Sequence, residues 1–386
     1  MRFNIFGATD NSFMSYWHIS SKKTYVCSPD VPGLMEYDWE NEKFMPVAQF
    51  PENCRKRDSY ALCAGYKNKM ICFPSYKSNI VLFCDLNTLE FTQMPVALDI
   101  NQAGAKIFGV YWHEGHIYAV LYGTKKIIEI DPEEERIVFT YEMNDSKQNI
   151  VFVFSTVLDG AIYLTVNADS RIVKFDMNSK SFDVLSIPSC KRSFRAIAAS
   201  GNCLVMGGYR KELYFMTPSS REFQMIVLPN DIRDSGKDDF YGYDFFCTDF
   251  VILEDQIGFL SLHEPGIFFY NLLSKKIDLM PLPEKNNRRN LKSYTKLYMK
   301  ENRIIGLYSL VDERMVEIDA TGRTYRVICP EIDDEIFDWM KQFALTDVGV
   351  GKDVFSKALF SRAYDNRIMN QTATVGKRIW QHVIRS

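Results

Sequence analysis

One short turn recurs seven times in this chain and constrains its fold more than any other feature. An apolar run ends at Asp or a substitute, a polar turn follows, and an apolar residue returns six positions later. The copies begin at positions 38, 85, 131, 176, 217, 271 and 319 and read DWENEKF, DLNTLEF, DPEEERI, DMNSKSF, TPSSREF, NLLSKKI and DATGRTY. They lie 41 to 54 residues apart, the period of a four-stranded propeller blade. The starting Asp, Asn or Thr is expected to bond its own backbone two residues on. The returning residue, Phe44, Phe91, Ile137, Phe182, Phe223, Ile277 or Tyr325, is expected to anchor its strand in the core.

Further turns complete each unit. YKNKMICF, HEGHIYAV, LDGAIYLT and SGNCLVMG carry Gly, Asn or charge at a tip between two apolar runs. SYKSN, YGTKK, NADSR, YRKE and HEPG lead into the strand that ends at the Asp. The order is therefore an inner strand A, then B, C and an outer strand D. Blades covered on both faces explain the near-continuous apolar runs. The fold class is all-β, a seven-bladed β-propeller over residues 1–330. Its blades lie near 13–50, 58–98, 106–145, 150–190, 194–230, 245–284 and 293–330.

A helical C-terminal tail follows over 331–386. DDEIFDWMKQFAL places Ile336, Phe337, Met340 and Phe343 on one side, with acidic residues in the first turn. DVFSKALFSRAYDNRIM and GKRIWQHVIRS have the pattern of two more helices. Between the fifth and sixth blades, NDIRDSGKDDFYGYDFF (230–246) is an insertion, and long loops of this kind often carry function.

The net charge of −3 argues against nucleic acid as a partner. The first residues have no apolar leader, and no run suits a membrane helix. Nine cysteines, odd in number and without a C-x-x-C pair, read as reduced, buried thiols. A cytoplasmic location is the expectation that follows. No motif calls for a cofactor or a metal. His113-Glu114-Gly115-His116 has ligand-type residues, but it falls in an A–B turn and reads as a plain turn. Gly207-Gly208-Tyr209 reads as a strand-end bend.

VLFCDLNTLEFTQMP and IVKFDMNSKSFDVLSIP resemble the C–D hairpin of the kelch and galactose-oxidase-like propellers: hydrophobics, Asp, turn, aromatic, then Leu-Pro or its equivalent. The resemblance spans residues from about 13 to 330 and implies the same ring of blades. The tail, through DDEIFDWM and TVGKRIWQHVIRS, is similar to the ends of some proteins from bacterial cell-surface polysaccharide gene clusters.

In such a ring the D–A and B–C connections open on one face, around the channel mouth. Here the D–A segments bring Arg55, Arg57, Lys106, Lys191, Arg192, Arg195, Arg288 and Arg289. The B–C segments add Tyr122, Lys125, Tyr209, Arg210 and the pair His263-Glu264, and the insertion adds Tyr241. Arginine forks match phosphates and carboxylates, and tyrosines stack on sugars. The expected function is a non-catalytic binding propeller. Its basic, tyrosine-rich mouth would meet a partner protein, a peptide or an anionic glycan-type ligand, in the setting of bacterial surface-polysaccharide biosynthesis. The alternative is an enzyme of lyase, hydrolase or transferase type. It would act on a phosphorylated or acidic sugar at the same mouth, with His263 or Glu264 moving protons. A third role is docking of a partner protein through the helical tail.

Overall fold

The computed structural model describes residues 8–9, 12–13, 17–19, 23–28, 31–55, 59–75, 78–97, 106–144, 151–167, 170–187, 193–208, 211–228, 247–261, 266–282, 294–308 and 314–341. In it six of the seven repeated turns close as their first residue dictates, whereas Thr217 Oγ1 meets Cys203 Sγ at 3.2 Å. Oδ1 of Asp38, Asp85, Asp131, Asp176, Asn271 and Asp319 accepts the backbone N–H groups two and three residues on, at 2.7–3.3 Å. These bonds hold the carboxyls of Asp85, Asp131, Asp176 and Asp319 below the ordinary aspartate range. At Asp38 the Asn41 side chain does most of this, with the backbone adding to it. Four residues past each start the chain turns left-handed. Glu42, Leu89, Glu135, Lys180, Arg221, Lys275 and Arg323 have φ between 51° and 61°.

Each turn joins the third and fourth strands of a four-stranded antiparallel sheet. Blade 1 holds Trp17–Ile19, Thr24–Cys27, Gly33–Asp38 and Lys43–Gln49; blade 2 holds Tyr60–Tyr66, Lys69–Pro74, Ile80–Asp85 and Phe91–Pro95. Blade 3 holds Ile107–His113, His116–Leu121, Lys126–Asp131 and Arg136–Glu142; blade 4 holds Phe152–Leu158, Ala161–Val166, Ile172–Asp176 and Ser181–Leu185. Blade 5 holds Phe194–Ser200, Cys203–Gly208, Glu212–Thr217 and Glu222–Val227; blade 6 holds Cys247–Ile252, Gln256–Ser261, Gly266–Asn271 and Ile277–Pro281. Blade 7 holds Tyr294–Lys300, Arg303–Tyr308, Arg314–Asp319 and Thr324–Ile328. The four strands run from the channel outward in sequence order, so this is a seven-bladed propeller. A separate short pair, Ala8–Thr9 with Ser12–Phe13, precedes the ring.

The core is divided into seven apolar clusters, one at each junction between blades. Alternation decides which junction a residue serves. In strand B of blade 3, Ile117, Ala119 and Leu121 pack toward blade 2, whereas Tyr118 and Val120 pack toward blade 4. A sheet covered on both faces therefore needs apolar residues at nearly every position. Gly207 lies within strand B of blade 5, where a Cβ would stand 2.6 Å from Cys247 Cβ of blade 6. Gly207 thus permits close approach at a junction, while Gly208 is the last residue of the strand; Tyr209 lies outside the described residues. The returning residues behave less uniformly than the sequence suggests. Phe44 is fully buried, but Tyr325 is 44% exposed, because the outer strands lie where neighbouring blades fan apart.

The ring closes through the chain that follows blade 7. Glu331–Ile332 pairs in parallel with the outer strand of blade 1, Glu331 opposite Lys43 and Ile332 opposite Phe44. Asp333 then does two jobs. It pairs with Lys43 at 2.7 Å, and its Oδ1 accepts the Glu335 N–H at 3.0 Å, as a helix N-cap does. Helix α1, Asp334–Lys341, inserts Ile336 and Trp339 into the cluster shared by Met35 and Phe44 of blade 1 and Ile305, Met315 and Ile328 of blade 7. The tail therefore begins as a clasp on blade 1. Its expected later helices, with Phe343, lie outside the described residues.

Candidate functional site

The expected site rests on D–A and B–C connections sharing a face, and backbone bonds tie them together there. Tyr122 N–H donates to Lys106 O at 2.7 Å, Ser75 N–H to Ser59 O at 2.7 Å, and Leu228 N–H to Lys211 O at 2.8 Å. Lys106 is only 7% exposed, and its ammonium lies 4.6 Å from the centre of the Tyr122 ring. Arg55 follows a single 3-10 turn, Glu52–Cys54. Its Nε donates back to the Phe50 carbonyl, so part of its charge is used locally. Arg195 lies on the inner strand of blade 5. Its side chain lies outside the described residues, as do Arg57, Lys191, Arg192, Tyr209, Arg210, Tyr241, His263, Glu264, Arg288 and Arg289.

Below the mouth, polar contacts stitch inner strands together across junctions. Gly65 N–H of blade 2 points to His18 Nδ1 of blade 1 at 3.4 Å, and burial lowers the pKa of that imidazole. Asp249 Oδ2 of blade 6 accepts Leu297 N–H of blade 7 at 2.8 Å.

A dense group of ionisable side chains lies at the other face, between blades 3 and 4. Glu129, on strand C of blade 3, is buried. Its Oε1 accepts Tyr118 OH at 2.8 Å and meets His116 Nδ1 at 2.6 Å, while Oε2 accepts Tyr141 OH. Tyr118 is its direct partner across the ladder. From the C–D turn of blade 4, Lys180 reaches back with Nζ 3.3 Å from Glu129 Oε1 and hydrogen-bonded to Tyr118 OH. The ammonium lies 4.5 Å from the Tyr118 ring centre and 5.9 Å from that of Tyr141.

Electrostatics follow from this packing. Burial alone would push the Glu129 carboxyl up. Hydrogen bonds from Tyr141, His116 and Tyr118, with the charge of Lys180, outweigh it and hold the group at about 2. Burial, and then Glu129 itself, drive both tyrosines well above their ordinary value. The HEGH segment is a tight hairpin turn, as expected, with φ of 48° at Glu114 and 83° at Gly115. Its histidines diverge, His116 to Glu129 and His113 to Asn178 Oδ1 at 2.8 Å. Among the described residues no group of three or more His, Cys, Asp or Glu side chains could hold a metal ion. Sequence reasoning missed Glu129. Its only signal was one acid inside the apolar strand KIIEID.

Lys180 is one case of a wider rule. The left-handed residue of the turn commonly reaches back to the preceding blade: Glu135 to Lys69, Arg221 to Asp183 at 3.5 Å, Arg323 to Gln256 at 2.7 Å, and Glu42 to Arg326. Among these, Lys180 alone meets a carboxylate that is itself buried.

No family model and no curated protein matches the chain. Solved structures with similar folds are numerous. A computationally designed protein, Ika8, superposes with a TM-score of 0.55 at 9% identity, covering 86% of this chain and 93% of its own. A chain of the mitotic checkpoint complex gives 0.50 at 10% identity, covering 73% and 85%. U3-55K gives 0.56 at 11% identity, covering 79% and 90%. At such identities the likeness carries the propeller fold and nothing finer. Among the described residues no helix is long and apolar enough to cross a membrane.

Proposed function

We propose that the chain is a non-catalytic binding propeller whose D–A/B–C mouth takes an anionic, glycan-type ligand or an acidic segment of a partner protein. One observation carries this reading. Lys106 is held almost out of water at that mouth, against the Tyr122 ring. A lysine this buried is a fixed part of the mouth rather than a mobile surface charge, and a cation beside an aromatic face suits a sugar that bears negative charge. The resemblance to kelch-type propellers, and that of the tail to polysaccharide-cluster proteins, make nucleotide sugars, sugar phosphates and acidic oligosaccharides the first ligands to try.

The test is a thermal-shift screen of those compounds against wild type, Lys106→Ala and Arg192→Ala/Arg289→Ala. A ligand at about 100 times its Kd adds roughly 2.7 kcal/mol, which raises the midpoint by several degrees. The expected outcome is such a rise in wild type, reduced by at least half in each variant. No rise with any compound removes the small-anion ligand. An equal rise in the variants places the site elsewhere.

A further inference from the structure

The contacts of Lys180 have the composition of a cation receptor. Two tyrosine rings, a buried carboxylate and a phenolic oxygen lie around one ammonium. Aromatic faces attract cations through the ring quadrupole, more strongly where water is excluded. Nothing in the group suits an anion, because its one fixed charge is negative. It also does not suit a guanidinium fork. Oε2 of Glu129 already accepts Tyr141, and Oε1 accepts Tyr118 and faces His116. These contacts crowd both oxygens, which disfavours the planar approach of a bidentate pair, whereas an ammonium needs only point contacts.

Access is present too. The Lys180 side chain is 35% exposed, so part of it reaches solvent above the buried carboxylate. Phe139, 56% exposed, stands 4.7 Å from the Tyr141 ring and continues the aromatic wall into solvent. A wall of that kind has no part in holding Lys180, yet it suits the carbon body of a ligand. Lys180 itself projects from an exposed turn in a left-handed conformation, a backbone state that is costly for a side chain with a Cβ.

We infer that the Glu129–Tyr118–Tyr141 group at the junction of blades 3 and 4 is a binding site for aliphatic ammonium groups, occupied in cis by Lys180 and opened to an ammonium-bearing ligand when the 176–181 turn lifts. The tethered lysine competes at an effective concentration in the millimolar range. An outside ligand therefore needs either excess or additional contacts, such as Phe139.

The experiment uses the full chain and n-butylammonium chloride, with sodium chloride at equal ionic strength as the control. Thermal midpoints are measured for wild type, Lys180→Ala and Lys180→Ala/Tyr141→Leu. Lys180→Ala is expected to melt lower than wild type. n-Butylammonium should raise it saturably, by at least twice the effect of sodium. The double variant should respond to both salts alike. Wild type should need at least tenfold more n-butylammonium for the same rise. Equal responses of Lys180→Ala to the two salts, or a rise that survives loss of the Tyr141 ring, overturn the site. Equal sensitivity of wild type and Lys180→Ala overturns the gating by Lys180. Should Lys180→Ala not fold, Lys180→Gln carries the same comparison, read as refolding yield in the two salts.

Discussion

The fifth residue of the repeated turn does two things at once. Its φ near +55° is costly for any residue with a Cβ, by about 1–2 kcal/mol, and the seven copies adopt it without a glycine among them. Where its side chain reaches the preceding blade, that contact offsets the strain. At Leu89 the side chain is 46% exposed and little offsets it. The same substitution is therefore expected to act with opposite sign at two equivalent positions. Leu89→Gly should stabilise by roughly 0.5–1 kcal/mol, the relieved strain less the added freedom of the unfolded chain. Lys180→Gly should destabilise by about 2 kcal/mol, because Glu129 then stays buried with its counter-charge gone. Urea midpoints of the two variants decide this: stabilisation of both would show that the backbone conformation, not the link, dominates, and destabilisation of both would show that relieved strain does not offset the freedom glycine adds to the unfolded chain. The first residue of the turn was readable in advance because its bonds are local. The fifth was not, because its partner lies on another blade.

Strand C of blade 3 shows how an element can be apolar in pattern and charged in function. Ile127, Ile128 and Ile130 fill two junctions, and Glu129 between them organises a third set of contacts. A group at about 2 in the folded protein and 4.5 in the unfolded chain contributes roughly 3 kcal/mol of stability above about pH 5. Because its folded pKa is depressed, that contribution is lost as pH falls from 4.5 toward 2. The lowered turn aspartates add to acid lability in the same direction. Wild type should exceed Glu129→Gln by roughly 2–3 kcal/mol at neutral pH, with the gap narrowing steadily below pH 4.5. Urea unfolding of both proteins across that range checks it. The turn aspartates cancel in the difference, so a gap constant with pH would mean that packing rather than charge is responsible.

Over the whole molecule, a ring made of seven similar sheets leaves one junction that the repeat does not define, where the last blade meets the first. Here the packing of blade 1 on blade 7 is reinforced by chain that belongs to no blade. Glu331–Ile332 extends blade 1, Lys43 pairs with Asp333, and Trp339 packs against Gly33, where a Cβ would stand 2.5 Å from its ring. Trp339→Ala should destabilise by about 3–5 kcal/mol and speed amide exchange first in Lys43–Gln49 and its pairing partners. Exchange that rises evenly over all seven blades would show that the clasp has no special part in closure. Gly33→Ala, which drives a methyl into the same ring, should reproduce the pattern.

What the sequence determined by itself is the part set by local chemistry and period. Asp, Asn and Thr at fixed spacing name the turns, and the spacing names the number of blades and the order of strands. Those are interactions between residues a few positions apart, and they survive translation from text to structure. The basic mouth was legible only as a set of loops, and among its described members Lys106 and Arg55 show how a charge is held there. Glu129, its two tyrosines and Lys180 were decided by tertiary structure alone. They come from four strands and turns on two blades, and no spacing along the chain brings them together. The use of the early tail as a clasp was decided in the same way, since the hydrogen bonds that recruit it belong to a strand almost three hundred residues earlier. Burial and long-range pairing have no period in the sequence, so only the folded ring reveals which charges it encloses.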